Sequence, residues 1–478
     1  MTSRSLLKST LLYMPAQLLG PLVQFVVVVT WTHLLDPAAF GVVTFVVAAQ
    51  ELTALIGLIW WSLYVLRFRQ RFLGADANRF RAMDSRMVIS GALAQAIFAP
   101  LCLLSIGVDP HVPTVLAAAS YLVARLALVH YSEWARSEHR IASYSIAQLA
   151  GPILGSGLSI VAIQLLGPSP AVALSAMAAG QAVGAVGLMA SLGVRPRFGV
   201  FDRSIFRDAR RYGLPLVISG LFAWAAINGV RILVQAGAGV VGVGLLSAGW
   251  GLGQRIANVV AMLCTAAAFP IAVDRIESGD RDGALDQVSL NGTLMFALLA
   301  PATAGVAALS APIVNLLIAA DYRAVTVIVL PVSVAAGALR TLKTHTADQC
   351  GLLLDRTRAM MASNAFDAAT TLVCATIGML MGGIPGAALG CFVGAAISAI
   401  GALIYAAAWL RLPVDIGSYA RIALATAAMT LALAMCPTPK DAVAIAAEIL
   451  LGASVYFLGV GLLFPPVRAI ARDRLRRS

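Results

Sequence analysis

Apolar residues run through this chain in blocks of about twenty, with the charges gathered between the blocks instead of among them. A helix crossing a hydrocarbon core of about 30 Å needs roughly 20 mostly apolar residues. Cutting the sequence at charges and at Gly/Pro breaks predicts fourteen such stretches, at 10–35, 38–63, 86–107, 113–132, 141–166, 170–193, 212–236, 242–271, 288–309, 324–346, 360–381, 386–410, 420–436 and 442–464. Residues 242–271 and 324–346 have the length to extend past the bilayer on the inner side. The fold expected from this pattern is an all-α polytopic membrane protein with about 14 transmembrane helices.

The first block begins after Lys8 and runs to about Leu35. That is far longer than the apolar core of a secretory signal, about 7–15 residues, and no small-residue cleavage site precedes Asp36. It reads as a retained first helix.

Composition agrees with the pattern. Apolar residues make up 60% of the chain and charged residues 12%, against roughly 45–50% and about 25% in soluble domains. A net charge of +12 would suggest a nucleic-acid partner in a soluble protein; here its placement argues for topology instead. With the N-terminus inside, 29 of the 34 Lys and Arg fall on inner segments, and only Arg323 and Lys440 on outer ones. Basic residues concentrate on cytoplasmic loops. The distribution therefore predicts a multi-pass protein of the bacterial inner membrane, both termini cytoplasmic, surrounded by membrane lipids and with no nucleic-acid partner.

The same distribution speaks against an enzyme. The longest outer segment, 310–323, is half apolar and too short for a catalytic domain, and no Walker A motif is present. The six cysteines (Cys102, Cys264, Cys350, Cys374, Cys391, Cys436) are scattered through apolar runs, which predicts small buried fillers, no metal site and no cofactor.

Two segments hint at an internal repeat. LLDPAAFGVVTFVVAAQ (34–50) follows the first helix and VQAGAGVVGVGLLSAGW (234–250) follows the seventh; superposing Gly41 on Gly242 gives an offset of 201 residues, six helices per half. Six is even, so the halves share an orientation and relate through a pseudo-two-fold along the membrane normal. The predicted organisation is an N-terminal six-helix bundle at 1–211, a second at 212–411, and helices thirteen and fourteen with a basic cytoplasmic tail at 412–478. Transporters often place a substrate site at such a repeat interface.

Several motifs resemble those of a known family. These are Lys8, Gln17 and Gln24 on the first helix, then the turn Leu34-Leu35-Asp36-Pro37-Ala38-Ala39-Phe40-Gly41. Gly382-Gly383-Ile384-Pro385-Gly386-Ala387-Ala388 and Ala311-Pro312-Ile313-Val314-Asn315-Leu316-Leu317 before Tyr322 complete the set. Together with size and helix count, they are similar to those of the bacterial polysaccharide flippases (Wzx-type oligosaccharide transporters) of the multidrug/oligosaccharidyl-lipid/polysaccharide exporter superfamily. Asp36 departs from the Gly more often found there. The resemblance covers essentially the whole chain, through turns that specify fold better than cargo. It implies a flippase for a polyprenyl-diphosphate-linked oligosaccharide, serving exopolysaccharide, O-antigen or capsule assembly, with a polysaccharide polymerase as the expected partner downstream. The competing expectation is a small-molecule or drug exporter of the same superfamily, driven by a proton or sodium gradient.

Ionisable groups inside a bilayer cost at least about 2.5–3.5 kcal/mol near its centre and so carry functional hypotheses. Arg125 lies near the middle of the fourth stretch, with Tyr121 one turn earlier. Trp224, Asn228, Arg231 and Gln235 form a polar stripe at i, i+4, i+7, i+11. Trp250, Gln254, Asn258 and Thr265 form a second, with Arg255 one position off that face. Arginine suits a diphosphate because its planar fork donates paired hydrogen bonds and stays charged. The expected substrate-binding residues are Arg125, Arg231, Arg255, Tyr121, Trp224, Asn228, Gln254 and Asn258, around a cavity between the halves. Arg340 and Lys343 are candidates for the inner entrance, or simple topology signals. Glu51 and Asp367, the latter beside Asn364 and Thr371 at helical spacing, are candidates for ion coupling or for structural pairing with an arginine. His33 and His130 are read as interfacial.

Overall fold

The structure is a computed structural model that describes residues 20–72 and 74–464. The roles given to Lys8, Gln17 and the basic tail from 468 onward lie outside the described residues. Among the described residues every regular element is a helix. In chain order they are α1 (Gly20–Leu34), α2 (Pro37–Ala54), α3 (Trp60–Phe68), α4 (Ala77–Ser105), α5 (Val112–Ser137), α6 (Ile141–Leu166), α7 (Pro170–Leu192) and α8 (Arg203–Glu277). There follow α9 (Arg281–Ala308), α10 (Ser310–Leu317), α11 (Ala320–Lys343), α12 (Gln349–Leu353), α13 (Thr357–Trp409), α14 (Ile416–Ala434) and α15 (Ala442–Leu463). Among the described residues eleven helical spans are long and apolar enough to cross a membrane, and α1 is a shorter apolar helix.

Two of these helices cannot be straight rods. At 1.5 Å per residue, α8 with its 75 residues would be about 110 Å long. Instead its backbone breaks at Gly239, where φ is 66° and ψ −171°. Arg231 Nε reaches Ser247 Oγ at 3.4 Å, although 16 residues of straight helix would hold them about 24 Å apart. The segments on either side of the break, up to Ser247, are therefore antiparallel, and the helix divides into a first arm, 203–238, and a second, 240–277. In α13 the break falls at Gly382 and Gly383. There Gly378 faces Gly386, Cys374 faces Gly390 and Thr371 faces Gly394, a second antiparallel pair turning at the predicted Gly-Gly.

Side-chain chemistry explains the other ends. Asp36 caps α2 by accepting from the Ala39 N–H at 2.7 Å, with Pro37 opening the first turn. This is the turn the Leu-Leu-Asp-Pro motif predicts. Ser169 with Pro170 caps α7, and Asp280, Asp415 and Asp441 cap α9, α14 and α15. Prolines inside α4, α6, α9 and α11 (Pro100, Pro152, Pro301, Pro331) are tolerated without ending the helix, as is common in membrane helices.

The chain packs as two units, Met1–Ser247 and Ala248–Ser478. In the first, α6 and α7 meet through Gly151 and Gly155 on one side and Gly180 and Gly184 on the other. A β-carbon on Gly180 would collide with the Gly155 backbone. Two small-xxx-small motifs thus let the backbones touch, which is how helices associate where lipid removes the hydrophobic drive. A further backbone contact joins the start of α2 to the second arm of α8. A β-carbon on Gly41 would strike the Val240 carbonyl, and one on Gly244 the Pro37 carbonyl. These contacts are reciprocal under an offset of 203 residues, close to the 201 of the sequence repeat. In the second unit, Gly249 and Gly253 lie against Val329 and Ser333 of α11.

The helix boundaries move two expectations. The α4 helix starts at Ala77 and so takes up Arg79, Arg81 and Asp84, which the pattern assigned to a loop. The α5 helix continues to Ser137, placing His130 well inside it and wholly buried. His130 is therefore a core residue and not the interfacial one expected. Its polar ring is held there because it finds partners, described below.

Candidate functional site

In the N-terminal unit the predicted stripe on α8 turns toward α2. Trp224 Nε1 donates to the Ala48 carbonyl at 3.1 Å, and Asn228 Nδ2 donates to Glu51 Oε2 at 3.3 Å. Arg231 donates through Nη1 to Asn228 Oδ1. The Asn228 amide uses both its ends, giving to the acid and accepting from the base, which fixes its orientation. Carboxylate and guanidinium are thus joined through one buried amide. Arg231 and Glu51 lie within electrostatic reach of each other. Gln235, the last residue of the stripe, keeps a buried Oε1 with no hydrogen-bond partner.

Arg125 of α5 belongs to the same neighbourhood. It and Glu51 both act electrostatically on the Tyr121 hydroxyl. Its Nη1 donates to Gln181 Oε1 of α7 at 3.3 Å. Among the described residues neither Arg125 nor Arg231 lies within ion-pair distance of a carboxylate. Both guanidinium groups are half-buried. Tyr121 is 4% exposed, so its ring offers no free face to a sugar in this conformation. Trp224 is half-buried and Glu51 is exposed.

In the C-terminal unit Gln254 is spent on α11, donating to the Ser333 carbonyl at 3.0 Å. Arg255 is half-buried and Asn258 exposed. The larger polar feature joins α11 to α13. Arg340 Nη2 donates to Thr371 Oγ1 at 2.9 Å, and its Nε lies 3.6 Å from Asp367 Oδ2. Lys343 Nζ lies 3.4 Å from Asp348 Oδ2, 3.9 Å from Asp367 Oδ2 and 3.3 Å from Asn364 Oδ1. Ser363 and Thr371 hydroxyls donate to Asp348 and Asp367. Two cations and two acids, all buried, balance one another. A π-helical turn at Thr344–Asp348 carries Asp348 back to the lysine's side.

Arg340 and Lys343 are thus placed inside the protein and not on an open entrance. Asp348 also lines an apolar cavity of about 490 Å³ with Met360, Ser363, Phe366 and Tyr405. The face Asn364, Asp367, Thr371 is the one the helical spacing predicts. Its partners on α11, 21 or more residues away in sequence, carry no periodic signal that would connect them.

One cluster escaped the sequence reading. Trp61 Nε1 donates to Asp84 Oδ1 at 2.7 Å, His130 Nε2 lies 3.1 Å from the same oxygen, and Ser62 Oγ lies 2.9 Å from His130 Nδ1. The residue types are those of a hydrolase triad, but Ser62 is 2% exposed, which leaves no room for an acyl substrate.

Long apolar helices, glycine-lined contacts between them and charged groups held within the spans define a multi-pass membrane protein of transporter type. The chain belongs to the family described as polysaccharide biosynthesis protein, whose model matches residues 6–274. The solved structure of the lipid II flippase MurJ in its inward closed conformation superposes with a TM-score of 0.76 at 12% identity, covering 96% of this chain and 99% of that one. An inward-facing multidrug resistance MATE family transporter of the MOP superfamily gives 0.62 at 17% identity, with 83% and 98% covered. The Vibrio cholerae MATE transporter VcmN, solved as a point mutant, gives 0.56 at 16%, with 87% and 99% covered. At these identities the likeness is one of fold. A search of curated proteins by sequence finds no match.

Proposed function

We propose that this protein flips a polyprenyl-diphosphate-linked oligosaccharide across the bacterial inner membrane by alternating access. The observation that carries the reading is the state of Arg125 and Arg231: half-buried in membrane-spanning helices, each engaged by an amide and neither by an acid. Glu51 acts on Arg231 only at a distance, through the Asn228 amide, and a guanidinium in a span without a direct ion pair is expensive; a phosphate visiting it would supply that pair through paired hydrogen bonds. Family membership points to polysaccharide assembly, and the fold is shared with the lipid II flippase MurJ.

In this reading fourteen helices cross the membrane and both termini are cytoplasmic. The functional bundles are 1–211 and 212–411, with 412–478 appended. Arg125, Arg231 and Arg255 meet the diphosphate, while Trp224 and Asn258 meet sugar and Tyr121, Asn228 and Gln254 reach it only once the helices rearrange. Glu51 and Asp367 carry ion coupling, with Arg340 and Lys343 setting the charge around Asp367. No bond is made or broken, and a polysaccharide polymerase takes the cargo on the outer side.

The test is export of surface polysaccharide by cells carrying Arg125→Ala, Arg255→Ala or both, with membrane insertion verified. Loss of export, restored in part by the Lys variants, is the expected result. Full export by the double variant overturns the assignment, and drug resistance in place of sugar export would favour the small-molecule exporter.

A further inference from the structure

Four polar side chains that the transport reading does not use meet in the N-terminal unit with almost no access to solvent. Trp61 and His130 are 0% exposed, Ser62 2% and Asp84 3%. They come from α3, α4 and α5, packed within an apolar cluster that includes Leu58, Phe80, Leu126 and Trp134.

A hydroxyl has one proton to give, and Ser62 has two acceptors in reach, the Leu58 carbonyl at 3.2 Å and His130 Nδ1 at 2.9 Å. Where the carbonyl takes it, Ser62 accepts from Nδ1, which then carries a proton. Nε2 then faces Asp84 Oδ1 at 3.1 Å. Two lone pairs at that distance would repel, so a proton lies between them on one atom or the other. With it the pair is neutral overall. Without it a bare carboxylate is left in a dry site, a state that burial penalises strongly.

We propose that Asp84 and His130 form a proton-binding site, loaded while α3, α4 and α5 are packed and emptied to water when they part. On release, the proton between Oδ1 and Nε2 goes to solvent, Nδ1 keeps its own, and a neutral imidazole and a carboxylate remain. Ser62 links the site to the π-helical turn Leu55–Ile59 between α2 and α3, in which Leu58 lies. Such turns frequently mark functional positions in helices.

Other charges surround the pair. Arg69, just past α3, is within electrostatic reach of Asp84 and favours the emptied carboxylate, although Glu138, just past α5, holds it at 2.5 Å. Arg81 of α4 and Arg140 act on Arg69 in turn. Tyr131 lies beside Asp84 on α5, and Tyr64 on α3 faces Asp208 of α8. Tyr144 of α6 and Tyr212 of α8 pack on the same cluster.

The role of the site in transport rests on the function proposed above; proton binding itself does not. The experiment is infrared difference spectroscopy of the full-length protein in lipid nanodiscs, between an acidic and an alkaline buffer. The expected result is a protonation signal lost in both Asp84→Asn and His130→Gln, with a pH-dependent change in Trp61 emission lost alongside it. Asp84→Asn keeps the size of the side chain and an oxygen for Trp61, so it remains informative if His130→Gln fails to fold. No signal in the wild type, or the same signal in Asp84→Asn, overturns the proposal. The measurement needs no cargo: sugar transport without a titrating pair would sink this site alone, and a titrating pair in a protein that moves no sugar would sink only the flippase reading.

Discussion

Arg231 and Ser247 lie 16 residues apart in the chain and 3.4 Å apart in space, on opposite arms of α8. Gly239, midway between them, makes this possible with φ 66° and ψ −171°. That region is essentially closed to residues with a β-carbon, at a cost of about 1–3 kcal/mol. Gly239→Ala should therefore lower the thermal unfolding temperature in detergent. At the second hairpin, Gly383→Ala (φ 60°) should do the same, and Gly382→Ala (φ −144°) far less.

Lys343 is 2% exposed, and its ammonium is shared by Asp348 and Asp367. Lys343→Met leaves two buried acids facing one arginine. Removing one partner of a buried ion pair typically costs about 3–5 kcal/mol. Lys343→Met with Asp348→Leu restores the balance of charge and should recover most of that loss. Unfolding of the purified single and double variants decides it, and equal instability of the two would show that charge balance is not what matters.

A side chain at Gly180 has no room, because the Gly155 backbone fills the space, whereas nothing lies within 4 Å of the β-carbon position at Gly187 on the same helix. Gly180→Leu should break the α6–α7 contact, costing at least the roughly 1–3 kcal/mol of ordinary overpacking. Gly187→Leu should leave both expression and unfolding temperature near the wild type.

Asp202 lies in the linker before α8. Its carboxyl is held below the ordinary carboxylate value, first by the Ser204 hydroxyl, then by the Ile205 and Ser204 N–H groups and by Arg79. A pKa lowered on folding gives stability that is full above the unfolded value of 3.8 and is lost as pH falls through the folded value. Amides 203–207 should exchange faster at about pH 3 than intrinsic rates explain, and Asp202→Asn should remove that acid dependence.

The helical hairpins were readable in advance because glycine pairs and Asp-Pro interrupt apolar runs that lipid otherwise requires to be continuous. Asp36, Gly239 and Gly383 are signals of that kind. Glu51, Tyr121, Arg125, Asn228 and Arg231 stood out because charge and amides are costly within such runs, and the structure brings these five into one neighbourhood. The Asp84 and His130 pair was hidden for the opposite reason. Charges on the end turns of α4 and α5 look like loop in one dimension, so a carboxylate and an imidazole at buried depth passed for residues at a membrane surface. The pairing of Lys343 with Asp348 was equally illegible, since it depends on a π-helical turn that no hydrophobic period encodes.

Where Gly41 meets Gly244, two main chains touch with no side chain between them. Interlocked side chains must change rotamer before helices can slide, but bare backbones have nothing to unlatch. A methyl group added at either glycine would meet a main-chain carbonyl that no rotamer change can move aside, so the junction between α2 and α8 admits no side chain at all.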